Sequence, residues 1–139
     1  MIILDTNVIS ELMRPLPDEK VTAWLGNRAK LHYGITTITI AEITRGIERL
    51  AIGKRQDDLR SRFAQFVNEA FHGRIYSFDE EAAQNYATIA TNRERSGLHA
   101  DPMDMLIAAI VKVHKATLAT RNIKDFTECD ITIMNPWNS

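Results

Sequence analysis

The chain has 139 residues, 45% of them hydrophobic and 25% charged, with 17 basic against 18 acidic side chains and a formal net charge of −1. That length predicts one domain, residues 1–139, large enough to bury its own core. The near balance of charge excludes a polycation drawn to nucleic acid by net charge alone.

In chain order, Ile2, Ile3 and Leu4 read as a short strand buried on both faces, and Asp5-Thr6-Asn7 ends it abruptly. Val8 to Leu12 can form a short helix capped by Asn7, after which Arg14-Pro15-Leu16-Pro17 turns the chain. Asp18 to about Arg28 reads as a helix with Val21, Trp24 and Leu25 on one face, and Leu31 to Thr36 as a second strand. Thr39-Ile40-Ala41-Glu42 has the form of a capping box opening a helix whose stripe is Ile40, Ile43, Ile47 and Leu50 and which Gly53 would end. Gln56 to Phe71 is the clearest amphipathic helix, with Leu59, Phe63, Phe66, Val67, Ala70 and Phe71 at helical spacing.

Gly73 ends that helix, and Arg74 to Phe78 is a third strand. Asp79 caps a helix to about Ser96 with a small-residue face of Ala82, Ala83, Tyr86, Ala87 and Ala90. Asp101-Pro102 is a strong helix start, and the helix runs to His114, burying Met103, Leu106, Ile107, Ile110 and Val113. Thr117 to Thr120 and Ile131 to Met134 are the last two strands, with a helical turn at Ile123 to Phe126 between them. Strands alternating with helices predict an α/β domain: a central, mostly parallel five-stranded sheet with helices on both faces.

No segment reads as membrane-directed. The longest fully apolar run, Met105 to Val111, is far shorter than the roughly 18 residues of a span. Met1 to Leu4 has neither the basic nor the long apolar region of a signal peptide. One cysteine, Cys129, excludes an internal disulfide and fits a reducing cytoplasm.

Four places follow a strand or open a helix just beyond one: Asp5, Glu42, Asp104 and the turn from Asn122 to Asp125. In a parallel sheet these loops share one rim, so residues distant in sequence converge there. Each acid has a structural explanation alone: a turn for Asp5, the capping box for Glu42, the helix dipole for Asp104. Together they do not, because clustered carboxylates repel one another unless a cation holds them. Oxygen donors without Cys/His spacing favour Mg²⁺ or Mn²⁺ over zinc. A second charge feature is local: Arg45 to Arg62 holds six basic residues against three acids, a solvated helix surface or a contact for a phosphate backbone.

The runs MIILDTNVISELMRP, ITIAEITRGIERL and DPMDMLIAAIVKVHKATLATRNIKDF, with the terminal NPW, resemble the PIN-domain toxins of bacterial toxin–antitoxin pairs, in particular the VapC and FitB-like group. The resemblance spans nearly the whole chain. It implies a single PIN domain acting as a Mg²⁺-dependent endoribonuclease toxin, hydrolysing RNA phosphodiester bonds and silenced by a cognate antitoxin. The family's metal-binding acids fall on Asp5, Glu42 and Asp104, and Thr6 matches the hydroxyl residue after its first acid. Where the family often carries a fourth acid this chain has Asn122, whose amide offers only a carbonyl oxygen or orients a water. Asp125 lies near enough to compensate but reads as the cap of its turn, and Asp101 as an N-cap. The resemblance further implies a homodimer, operator DNA bound only through the antitoxin, and an antitoxin segment placing an arginine among the carboxylates.

Other readings are weaker. A haloacid-dehalogenase-like phosphatase wants an Asp where this chain has Asn7, and a receiver wants paired acids at its first strand. The alternative of another class is a catalytically weak PIN domain that serves as a binding partner or co-repressor in an antitoxin–operator complex. His32, His72, His99 and His114 show no metal-ligand spacing, Ser10 has no His–Asp partner, and no phosphate loop surrounds Gly46 or Gly53. Trp24 and Trp137 read as core or rim anchors.

Overall fold

The computed structural model describes residues 1–29 and 32–138. Five strands form one sheet, β1 (Ile2–Leu4), β2 (Tyr33–Thr36), β3 (Ile75–Tyr76), β4 (Thr117–Ala119) and β5 (Thr132–Met134), in the order β3-β2-β1-β4-β5. All four strand pairings are parallel. Successive strands are added to one side of β1 and then, from β4, to the other. The reversal leaves a crevice beyond the C-terminal ends of β1 and β4, where open α/β sheets bind ligands.

The two-residue period of a strand builds two cores. Ile3 and Leu118, paired across β1 and β4, face α5 (Glu80–Arg95) and α6 (Pro102–Val113). Their neighbours Leu4 and Ala119 face the opposite layer, formed by α1 (Thr6–Leu12), α2 (Glu19–Gly26), α3 (Thr37–Glu48) and α4 (Lys54–Phe71). Helices therefore cover both faces. The apolar run Met105 to Val111 lies within α6, where Met105 and Ile107 to Val111 are buried on every side apart from the half-buried Leu106.

Several boundaries differ from the sequence expectations, each for a local reason. Helix α1 begins at Thr6, and its cap is Asp5 rather than Asn7: Asp5 Oδ1 accepts the Thr6 amide at 2.8 Å. Helix α3 begins at Thr37, capped by Thr36, whose hydroxyl accepts the Thr39 amide at 3.1 Å. The Thr39–Glu42 capping box is therefore not formed. Gly53 opens α4 and does not end α3. The end of α3 is closed by the buried Gln56 amide, which donates to the carbonyls of Ile47, Glu48 and Leu50.

The buried face of α5 is also rotated. Ala82, Ile89, Ala90 and Arg93 are inside, while Ala83 and Ala87 are exposed. Arg93 is accommodated because its guanidinium donates to the carbonyls of His99 and Thr127, tying the loops before α6 and β5 together. Met103, expected in the core, is 39% exposed. Strand β3 keeps only two of the five residues expected of it, and Leu31, expected to begin β2, lies outside the described residues. No helix among the described residues is long and apolar enough to cross a membrane.

Candidate functional site

The site grows from the end of β1. Asp5 continues the ladder, its amide donating to the Ala119 carbonyl at 2.9 Å, so its side chain is held beside the end of β4. Only 3% of it is exposed. Its Oδ2 accepts the Thr120 hydroxyl at 2.8 Å and the Asn7 amide at 3.1 Å. The Asn7 amide also donates to Thr120 Oγ1, and Asn7 Oδ1 accepts the Arg121 amide. The Asn122 amide donates to that same Thr120 oxygen at 3.1 Å. Thr120, fully buried, thus joins Asp5, Asn7 and the turn after β4. Burial raises the Asp5 pKa above the ordinary carboxylate value, and the Glu42 charge adds to that rise. The hydrogen bonds from Thr120, Thr6 and Asn7 act in the opposite sense.

Glu42 arrives from the second turn of α3. Its Oε1 accepts the Thr6 hydroxyl at 2.7 Å. Thr6 Oγ1 lies 3.0 Å from Thr39 Oγ1, and since the single Thr6 proton goes to the carboxylate, Thr39 is the donor in that contact. Thr36 in turn donates to Thr39. Three hydroxyls, two of them on buried residues, therefore orient one carboxylate oxygen.

Asp104 comes from the first turn of α6, where its amide donates to the Asp101 side chain, making Asp101 the N-cap expected of it. The Asp104 carboxyl is half-buried and pushed up to about 7, first by burial and then by the charges of Asp101, Asp5, Asp125 and Glu42. Five carboxylates therefore act in one field. Among the described residues none of the five forms an ion pair. Asp125 makes no side-chain cap at its turn, and Asn122 is exposed, its backbone amide and carbonyl engaged but its side chain making no hydrogen bond among the described residues.

The donor set suits a hard cation: carboxylate and hydroxyl oxygens in excess negative charge, with no His or Cys among them. Among the described residues, however, no three acid, His or Cys side chains already surround one point. Glu42 is held toward Thr6, and Asp5 toward Thr120. The arrangement is one of poised oxygen donors, and a cation would draw the free ones together. Asn7 and Thr120 are the residues that the reading of the sequence missed. In the sequence Asn7 reads only as a cap, and a threonine closing an apolar strand carries no signature, because its role depends on β1 and β4 being neighbours.

The other candidates stay apart from this cluster. All four histidines are exposed, with the His114 ring 4.4 Å from that of Tyr76. Ser10 is exposed and Cys129 is a buried free thiol. Trp24 is a core residue with the Arg28 guanidinium 4.3 Å above it, and Trp137 anchors Arg121 at 5.0 Å.

The family model for the PIN domain matches residues 2–130. Toxin FitB of Neisseria gonorrhoeae is 41% identical over 138 residues, covering 99% of both chains. A protein named VapC ribonuclease Y4jK, from Sinorhizobium fredii, is 36% identical over 99% of this chain and 98% of its own. Among solved structures, FitAB bound to an IR36 DNA fragment contains a chain superposing with a TM-score of 0.92 at 41% identity, covering 99% of this chain and 96% of that one.

Proposed function

The chain belongs to the PIN-domain family, and from that membership and the acid cluster at the sheet's switch point we propose that it is a divalent-metal-dependent endoribonuclease, the toxin of a VapBC-type pair. The observation that carries this reading is the gathering of Asp5, Glu42, Asp104, Asp101 and Asp125 with no ion-pair partner among the described residues, their charges adding to burial in raising the Asp104 carboxyl to about 7. Relatives named as a toxin and as a VapC ribonuclease support the substrate and the biological role.

In this reading Asp5, Glu42 and Asp104 hold Mg²⁺ or Mn²⁺. Bound there, the ion supplies Lewis-acid polarisation of the phosphoryl group and relief of carboxylate repulsion. The chain's own residues supply the rest. Thr120 and Asn7 fix Asp5 Oδ2, so that carboxylate loses little freedom on engaging a ligand. Thr6 holds Glu42 Oε1, leaving Oε2 to take a proton from the attacking water. Asn122, exposed beside the Thr120 hub, orients water or a phosphate oxygen through its amide.

The partners follow from the same membership. A cognate antitoxin inhibits the enzyme, operator DNA is bound through that antitoxin, and the toxin is a cytoplasmic homodimer of one PIN domain over residues 1–139. The FitAB–DNA structure supports the antitoxin and DNA assignments, and the lone cysteine suits the compartment. Cleavage of single-stranded RNA by antitoxin-free protein, with and without chelator, tests the activity. Cleavage that needs divalent metal and disappears in Asp5→Asn is expected. Undiminished cleavage by that variant would remove Asp5 from the site.

A further inference from the structure

Outside the acid cluster, a groove of about 310 Å³ runs between α3 and α6, lined by Ala41, Glu42, Arg45, Gly46, Arg49 and Met103. Residues 42, 45, 46 and 49 share one helical face by their spacing of three and four. The groove joins the candidate site on both walls. Glu42 belongs to the cluster, and Met103 stands beside Asp104 in the first turn of α6.

The two arginines are unlike most others here. Arg14 is held by Glu11, Arg60 by Glu48 and Asp57, Arg74 and Arg93 by carbonyls, and Arg28 and Arg121 lie over tryptophans. Among the described residues, the guanidiniums of Arg45 and Arg49 have no acid, carbonyl or ring partner. Both are exposed. The one acid in their groove, Glu42, is directed to Thr6.

Physical chemistry gives such a pair a task. The negative field that would hold a divalent ion also repels the rest of a polyanionic substrate. A strand crossing the site needs cations immediately beyond the acids. At 1.5 Å rise per residue, Arg45 and Arg49 stand roughly 4.5 and 10.5 Å along α3 from Glu42, about 6 Å from each other. A guanidinium pairs with a phosphate through two parallel hydrogen bonds, and exposed Met103 offers an apolar surface to a ribose or base.

We propose that this groove is the track for the RNA backbone flanking the scissile phosphate, with Arg45 and Arg49 as positioning residues that bind successive phosphates. The inference rests on the ribonuclease reading above, and its test separates the two.

Binding of labelled single-stranded RNA to cleavage-dead Asp5→Asn protein is measured by fluorescence anisotropy across a salt series, with Arg45→Gln, Arg49→Gln and the double variant added. Each lost phosphate contact should flatten the plot of log affinity against log salt by about 0.7, and the double variant by about 1.4. Arg→Lys at either position should restore the slope, since it restores the charge. Lys115→Gln, at the opposite end of the sheet between α6 and β4, should leave it unchanged. In protein with Asp5 intact, the double variant should raise KM more than it lowers kcat.

A wild-type slope in the double variant, with RNA still cleaved by the wild type, would overturn the track and leave the ribonuclease reading standing. A double variant that loses antitoxin affinity while keeping its RNA slope would make the groove a protein interface and likewise overturn it. Wild-type protein that neither binds nor cleaves RNA would remove both.

Discussion

The hydroxyl of Thr120 donates to Asp5 and accepts from Asn7 and from the Asn122 amide, so one buried oxygen connects two strand ends and the turn that follows. Replacing it by valine keeps the shape and removes all three contacts. Thr120→Val should cost about 1–3 kcal/mol, the penalty for buried polar groups left unpaired, and should raise the Asp5 pKa further, since Thr120 lowers it. Denaturant unfolding reads the first effect, and weakened Mn²⁺ binding the second.

Asp104 gives a pH dependence whose sign is fixed. Its carboxyl rises from an ordinary 3.8 to about 7 in the fold, so between those values the folded chain binds more protons than the unfolded one. The metal-free protein therefore loses stability from this group as pH climbs from about 4 to 7, and the loss is complete above that. Asp104→Asn should melt several degrees above wild type at pH 8 and match it near pH 4. Thermal melts in chelator check this, and equal melting temperatures at both pH values would contradict it. Saturating divalent metal should reverse the order at pH 8, because it stabilises only the chain that binds it.

At the scale of elements, the close approach of β3 to β2 depends on Gly34. A Cβ there would stand 2.5 Å from the Tyr76 ring and 3.2 Å from the Arg74 carbonyl. The ring can move, but the carbonyl accepts the Ile35 amide and belongs to the sheet. Gly34→Ala should cost about 1–3 kcal/mol by overpacking, read by denaturant unfolding. Combined with Tyr76→Ala the losses should be less than additive, since the two changes share one contact.

Elements with local signals were legible in the sequence: β1 from its apolar run, α6 from Asp101-Pro102, and α5 from Asp79. The start of α3 was not. Thr36 and Thr39 are both plausible caps, and Thr36 prevails because β2 ends there and hands its last residue directly to the helix. This shift matters to function. Glu42 is the sixth residue of α3, beyond the reach of its N-terminal amides, so capping does not explain it. Gln56 was illegible for a similar reason, because it closes a helix other than its own.

For the whole molecule, a net charge of −1 conceals a division of labour. Five carboxylates gather at the switch point of the sheet, and two unpartnered arginines line the groove that leads from it. The convergence of Asp5, Glu42 and Asp104 was foreseeable from chain order: a parallel sheet brings the connections after β1 and β2 to one rim, and α6 must begin on that rim for β4 to run parallel. The same reasoning puts the turn carrying Asp125 on that rim, whereas the contribution of Asp101 to the field, read from the sequence only as a cap, was not foreseeable. On the proposed function, this field serves to hold a divalent cation. The most direct test is calorimetric titration of Mg²⁺ or Mn²⁺ into antitoxin-free protein, wild type beside Asp5→Asn, with RNA cleavage followed on the same samples. Saturable binding and cleavage in the wild type, both lost in the variant, is the predicted result. A wild type that binds neither ion would contradict the account, and would leave a PIN domain whose work is done through its partners.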